Sequence, residues 1–290
     1  MRILVTGANG TVGSAIANEL GDREEYEFTW LDVEEHPEHE TVVADVTDYD
    51  DIRPHFEDQD AVIHLAAVVD VASDWDEVLN VNFVGTYNVL EAAADAGVED
   101  FLFASSIHTV GLFENDLAPE LYDPEFERPV VHHTDPVRPD SFYGLSKVFG
   151  EGLGRLFIEG SVNPMSEAHP AFTTPTREYP ERFYSLRITS VRDAEHDHPY
   201  GLSEEGVEAG YWERGDEDYE LIADRLKCTW LSHRDLTQLV DLCLQDESVD
   251  FDIFWAVSDN DGRWMDLEHG RATLGFRPQD NGAEWDAPPE

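Results

Sequence analysis

The chain opens MRILVTGANGTVGSAIANELG. A short apolar run leads into three glycines, Gly7, Gly10 and Gly13, and an amphipathic stretch follows at once. This spacing constrains the fold more than any other feature. The first glycine permits a tight turn, the second lets the backbone approach a pyrophosphate, and the third lets a helix lie close on its strand. The helix start then offers free N–H groups and a partial positive charge to phosphates.

The rest of the chain keeps that rhythm. Strands are predicted at 2–6, 26–32, 41–44, 61–65 and 100–105, and helices near 11–21, 49–57, 73–97 and 141–159. Further strands are expected at 183–189 and 251–257, the latter after a helix at 233–245. Such alternation predicts a parallel sheet wrapped by helices. Residues 112–139 read as a long proline-containing loop and 160–182 as a Pro-rich insertion. The acidic stretch 193–224 suits short helices of a capping lobe. The clusters EEHPEHE (34–40) and AEHDHP (194–199) lack ordered ligand spacing and read as solvated surface, so no metal is expected.

Charge narrows the setting. Of 290 residues 64 are acidic and 18 are Lys or Arg, giving a formal net charge of −46. Seven Trp, ten Tyr and fifteen Phe distinguish this chain from an acidic disordered one. A globular fold with so acidic a surface repels itself in dilute buffer, whereas at molar salt a Debye length of ~3 Å screens the repulsion. A salt-rich cytoplasm is the expected location. A phosphate backbone needs a basic face, so nucleic acid is excluded as a partner. No apolar run reaches the ~20 residues of a membrane span, and no signal-peptide pattern precedes the first strand. Cys228 and Cys243 read as free thiols.

Only two lysines remain, Lys147 and Lys227. Lys147 follows Tyr143 by four residues, so on the 141–159 helix the two share a face. An ammonium beside a phenol favours the phenolate and makes it a usable base. It can also hydrogen-bond a cofactor ribose, which the rigid fork of an arginine would not reproduce. Asp32 ends strand 2 in FTWLD, where a carboxylate accepts from the adenosine ribose and repels a 2′-phosphate; NAD is therefore expected over NADP. Asp45, in ADVTD, stands where it meets an adenine amino group or caps a helix.

TGANGTVG, HLAA (64–67), NVNFVGTYNVLEAA (80–93), FASS (103–106) and YGLSK (143–147) together resemble the extended short-chain dehydrogenases/reductases, the NAD-dependent epimerase/dehydratase superfamily. The resemblance implies an α/β fold, a Rossmann-type doubly wound parallel sheet with a small C-terminal substrate-capping lobe. The Rossmann part would span 1–189 plus 230–257 and the lobe 190–229 plus 258–290. It implies cofactor contacts from Asn9, Thr11, Val12, Val46, Leu65, Ala66 and Ala67 besides the glycines, Asp32 and Asp45, with Asn82, Tyr143 and Lys147 adding to them. It also implies a catalytic set of Ser106, Tyr143 and Lys147, with Asn82 either completing a proton relay or serving helix geometry. Relatives pair through helices equivalent to 82–97 and 141–159, so a homodimer or higher homo-oligomer is expected.

FASSIHTVG, CTWLSHRDL and the segment 258–285 are similar to the sugar 1-dehydrogenases of that superfamily, which oxidise C1 of a cyclic sugar to a lactone. Tyr143 would take the anomeric proton and Ser106 orient the oxygen. For the substrate the signals conflict. Ile107 stands where the uronate enzymes carry an Asn, and His108 matches a family histidine. Arg225 matches an arginine used on a carboxylate, and Lys227 shares its face if 225–229 is extended; a salt bridge to one of the many acids is the other reading. Asp70 lies near a polar substrate contact and suits neutral hydroxyls. The sugar could thus be an aldose, a sugar phosphate or a uronate. Rival readings are a nucleotide-sugar epimerase or dehydratase with tightly held NAD, and a non-catalytic NAD sensor.

Overall fold

The computed structural model describes residues 1–37, 40–160 and 179–289. Seven parallel strands form one sheet in the order β3-β2-β1-β4-β5-β6-β7. They are β1 (Arg2–Thr6), β2 (Glu27–Asp32), β3 (Val42–Val43), β4 (Ala61–His64), β5 (Asp100–Ser106), β6 (Arg182–Ile188) and β7 (Phe251–Ala256). Strand order reverses between β1 and β4, and there the carboxyl ends of the strands leave a crevice.

Strands covered on both faces are continuously apolar, and β4 (AVIH) is buried at every residue. Alternate residues serve opposite cores. Ile3, Val5, Ile63, Leu102 and Leu186 belong to one cluster. Leu4, Val62, Phe101, Phe103 and Phe183 belong to the other. Helices α1 (Thr11–Leu20) and, further on, His233–Gln245 cover the first face; Thr86–Ala96 and Phe142–Glu159 cover the second.

The predicted helix at 49–57 is α2 (Tyr49–Ile52) followed by a 3-10 turn. The helix expected at 73–97 is continuous but mixed. It starts as α3 (Trp75–Val78) behind an Asp74–Glu77 capping box, widens to a π-helical stretch over Leu79–Gly85, and continues as α4 (Thr86–Ala96). Gly97 at φ 76° ends it. The expected loop at 112–139 contains α5 (Gly111–Leu117) and a 3-10 turn, because Leu121, Tyr122 and Val131 are drawn into the first core. Then come α6 (Phe142–Glu159), α7 (Gly201–Glu208), α8 (Glu217–Thr229), α9 (His233–Gln245) and α10 (Glu268–Thr273). The insertion predicted at 160–182 and the EEHPEHE cluster fall largely or partly outside the described residues.

Two expectations are corrected. Residues 225–229 are helical, since Tyr219, Ala223 and Leu226 bury one face at helical spacing. The AEHDHP segment is not solvated throughout: His196 and His198 are buried, His198 stacking on Trp285 at 5.7 Å. Trp285 packs with Tyr200, Tyr219 and Ala223 in a small core separate from the two beside the sheet.

Candidate active site

The glycine loop is shaped by close approach. Gly7 has φ +70°, and a Cβ there would lie 2.5 Å from the Ala66 backbone N. A Cβ on Gly13 would lie 2.2 Å from the Ala8 carbonyl oxygen. Gly10 caps α1 without any side-chain hydrogen bond, leaving the first helical N–H groups for a ligand. Asp32 accepts from Asn9 N at 2.9 Å and Val33 N at 2.8 Å, which fixes its carboxylate beside the loop. Asp45 accepts from Thr47 N; the cap of α2 is Asp48, so the capping alternative for Asp45 fails.

These residues line one end of a cavity of about 1010 Å³, together with Thr11, Val12, Val46, Leu65, Ala66 and Ala67. Every residue expected to contact the cofactor is on its wall except Asn82. The crevice, the exposed helix start and the carboxylate at the end of β2 fit a nicotinamide dinucleotide.

The other end is lined by Ser106, Ile107, His108, Tyr143, Lys147 and Arg225. Ser106 closes β5 and accepts from His108 N at 3.2 Å. Helix α6 starts where it does because Ser141 caps it, accepting from Gly144 N. That start sets Tyr143 and Lys147 one turn apart on the cavity side. Burial raises the pKa of Tyr143, a hydrogen bond with Ser106 opposes the rise, and Asp140 adds to it. Lys147 is 4% exposed, its Nζ lying 5.1 Å from the Phe103 ring centroid and 5.5 Å from that of Tyr143. Burial brings its pKa down to about 7. In the protein alone, then, the phenol is raised where the sequence predicts a lowering, and the group that opposes the rise is Ser106 and not Lys147. Beneath lies His64, held by Thr6 and Thr86 hydroxyls and kept neutral by burial, with Lys147 adding to the effect; its pKa is about 3.

Four expected residues behave differently from a direct contact. Asn82 is buried and braces the loop after β4, donating to Val68 O and accepting from Val68 N, with a further bond to Ser146. Asp70 is off the cavity wall and accepts from Ala72 N. Lys227 also misses the cavity: two residues apart on a helix, it points away from Arg225, and its Nζ lies 4.7 Å from the Tyr200 ring centroid. Arg225 does reach the cavity, but it is ion-paired with Glu114.

The structure adds residues that the sequence reading missed. Asp140 takes His108 Nδ1 at 2.8 Å. Tyr122 and Arg225 converge on Glu114. Thr189–Arg192 follow β6 into the cavity, and the position of that strand's carboxyl end was a usable signal. Away from the cavity His133, Asp252 and His269 lie together, but the imidazoles stack at 3.7 Å and 15°. Near-parallel rings aim their in-plane lone pairs past each other, not at a common ion.

Known proteins resemble this chain in sequence and fold. The profile of the NAD dependent epimerase/dehydratase family matches residues 3–201. The NAD-dependent glucose-6-phosphate dehydrogenase of Haloferax volcanii is 34% identical over 98% of this chain and 95% of its own length. The L-arabinose 1-dehydrogenase (NAD(P)(+)) of the same organism is 32% identical over 97% and 98%. Among solved structures, the glucuronic acid dehydrogenase from Chromohalobacter salexigens superposes with a TM-score of 0.69 at 27% identity, covering 98% of this chain and 86% of that one.

Proposed function

The chain belongs to the NAD dependent epimerase/dehydratase family, and on that premise we propose that it is an NAD-dependent sugar 1-dehydrogenase. The observation that carries this reading is the convergence of Ser106, Tyr143 and Lys147 on a cavity that ends at the glycine loop and Asp32. Three relatives, matched over 97–98% of this chain and 84–98% of their own lengths, carry names of sugar dehydrogenases, one of them a uronate dehydrogenase.

The bound nicotinamide would supply the hydride acceptor. Tyr143 Oη, as phenolate, takes the proton of the anomeric hydroxyl, and Ser106 Oγ donates to the same oxygen. Lys147 holds the nicotinamide ribose and, when charged, favours the phenolate. Asp32 accepts from the adenosine ribose and disfavours NADP.

Residues 190–229 with 258–290 are assigned to the substrate lobe; Tyr200, Tyr219 and Trp285 share a small core there, while Trp264, Met265, Leu267, Leu274 and Phe276 pack into the first core beside the sheet. A second copy covers the apolar side of α6, of α4 and of the π-helical stretch before it, where Val84, Tyr87, Phe142 and Leu145 stay exposed. Among the described residues no helix is long and apolar enough to cross a membrane; the charge of −46 is the support for a salt-rich cytoplasm.

The test is NAD reduction in ~2 M KCl with a panel of aldoses, sugar phosphates and uronates, a salt level set by the screening argument. Lactone formation that falls at least ~100-fold in Tyr143→Phe is expected of a base at this position. Silence across the panel by folded protein that binds NAD would move the assignment to nucleotide sugars.

A further inference from the structure

Outside the catalytic pair, the groups on the cavity wall that carry or can carry positive charge are, among the described residues, Arg225, Arg192 and His108. Each is already met by a carboxylate. Glu205 takes Nε and Nη2 of Arg192. Asp140 takes Nδ1 of His108 at 2.8 Å, so the free ring nitrogen is Nε2. Glu114 takes Nε of Arg225 at 2.5 Å and Nη2 at 3.1 Å.

Glu114 is the informative partner. It is 7% exposed, so water screens its attraction for Arg225 only weakly. The Tyr122 hydroxyl donates to the same carboxylate at 2.7 Å and holds it in place. An arginine that recognises a phosphate or carboxylate offers two parallel N–H groups. Here the Nε–Nη2 edge is occupied, and Nη1 makes only a 3.5 Å contact with Ser190 Oγ.

We propose that the site takes a neutral aldose, with Arg225 Nη1 donating to a sugar hydroxyl, and discriminates against sugar phosphates and uronates. An anion beside Arg225 meets the Glu114 carboxylate behind it. To be clamped it must part an ion pair whose carboxylate is buried and whose guanidinium is partly so, and leave Glu114 without its partner. Ile107 supplies no side-chain donor in compensation. A sugar hydroxyl can accept from Nη1 with the pair intact. The inference rests on the dehydrogenase reading above and names its substrate class.

The experiment compares kcat/KM with NAD for D-xylose, L-arabinose, D-glucose and D-galactose against glucose 6-phosphate, glucuronate and galacturonate, at ~1 and ~3 M KCl to separate the site from the general acidic surface. The best neutral aldose should exceed every anionic sugar at least about tenfold at both salts, the range that a single recognition element supplies. A smaller or reversed ratio overturns the proposal and leaves the dehydrogenase reading standing. No turnover of any sugar by NAD-binding protein overturns that reading, and the proposal with it. In Glu114→Gln, which opens the Arg225 fork, the neutral-to-anionic ratio should fall at least about tenfold; an unchanged ratio in folded variant overturns the assignment to this pair. Should Glu114→Gln not fold, the wild-type panel decides alone.

Discussion

Glu151 receives Nε and Nη2 of Arg187 at 2.8 Å each, and both residues are buried. Glu151 lies one turn beyond Lys147 on α6, and Arg187 lies on β6 with its guanidinium 5.4 Å from the Trp255 ring centroid of β7. Ser105 Oγ also donates to Glu151 at 2.7 Å. One buried carboxylate therefore ties the helix that carries Tyr143 and Lys147 to the strand whose last residue is Ser106.

Breaking that tie should be costly. Glu151→Gln strands a buried guanidinium, with an expected loss of about 3–5 kcal/mol. The double variant Glu151→Met with Arg187→Met removes both charges and should recover most of the stability, yet keep a lowered kcat because the tether is gone. Urea unfolding and steady-state kinetics, both in ~2 M KCl, separate the two effects. A double variant with wild-type kcat would show that the pair serves stability alone.

Lys147 should behave oppositely. Its folded pKa of about 7 lies below the ordinary 10.5, so the unfolded chain binds the proton more tightly. The gap corresponds to roughly 5 kcal/mol of destabilisation, fully present below pH ~7 and lost as pH rises through ~10.5. Lys147→Met should raise the thermal midpoint most at pH 6 and least above pH 10, while abolishing turnover. A stability difference independent of pH would show that the buried amine carries no such penalty.

Much of this was legible because the relevant signals are local. Gly7, Gly13 and the strand before them announce the crevice, and Tyr143 with Lys147 needs only one helical turn. Arg225 was legible as a residue but not in its role. Its partner Glu114 is 111 positions away, and no period or motif reports that encounter in a chain where 64 carboxylates compete for 18 cations. Lys227 was misplaced for a local reason: the apolar spacing of Tyr219, Ala223 and Leu226 marks a helix and turns it away from the cavity. Glu151 stayed hidden because a buried acid inside an apolar helix reads like any other acid until Arg187 is placed opposite it.

Asp32, whose carboxylate is held by Asn9 N and Val33 N, is expected to set cofactor preference. Asp32→Ala removes the ribose acceptor and the repulsion of a 2′-phosphate together. The KM for NAD should rise about tenfold, the worth of one charge-assisted hydrogen bond, and the NAD-to-NADP ratio of kcat/KM should fall further than that. Equal loss with both cofactors would mean that Asp32 only shapes the loop.

The last prediction concerns a second copy of the chain. Phe142, Leu145 and Leu156 recur along α6 at helical spacing, and Trp75, Val84 and Tyr87 lie on the adjoining helical stretch; all six are 40–55% exposed. Trp75 touches Phe83 and Phe142, and Phe83 touches Phe149, so aromatic contacts join the two helical stretches. On the same helix Gly152 faces open space, which leaves room for close approach of another helix. A chain with a charge of −46 gains nothing from apolar exposure unless something covers it. A two-fold related copy would pack both helices against their equivalents in a four-helix arrangement. Light scattering in ~2 M KCl should give about twice 32.8 kDa. Tyr87→Glu with Leu145→Glu should halve that mass, because each new carboxylate would be desolvated against its own symmetry mate. A wild-type monomer at that salt would remove the patch from the account of assembly.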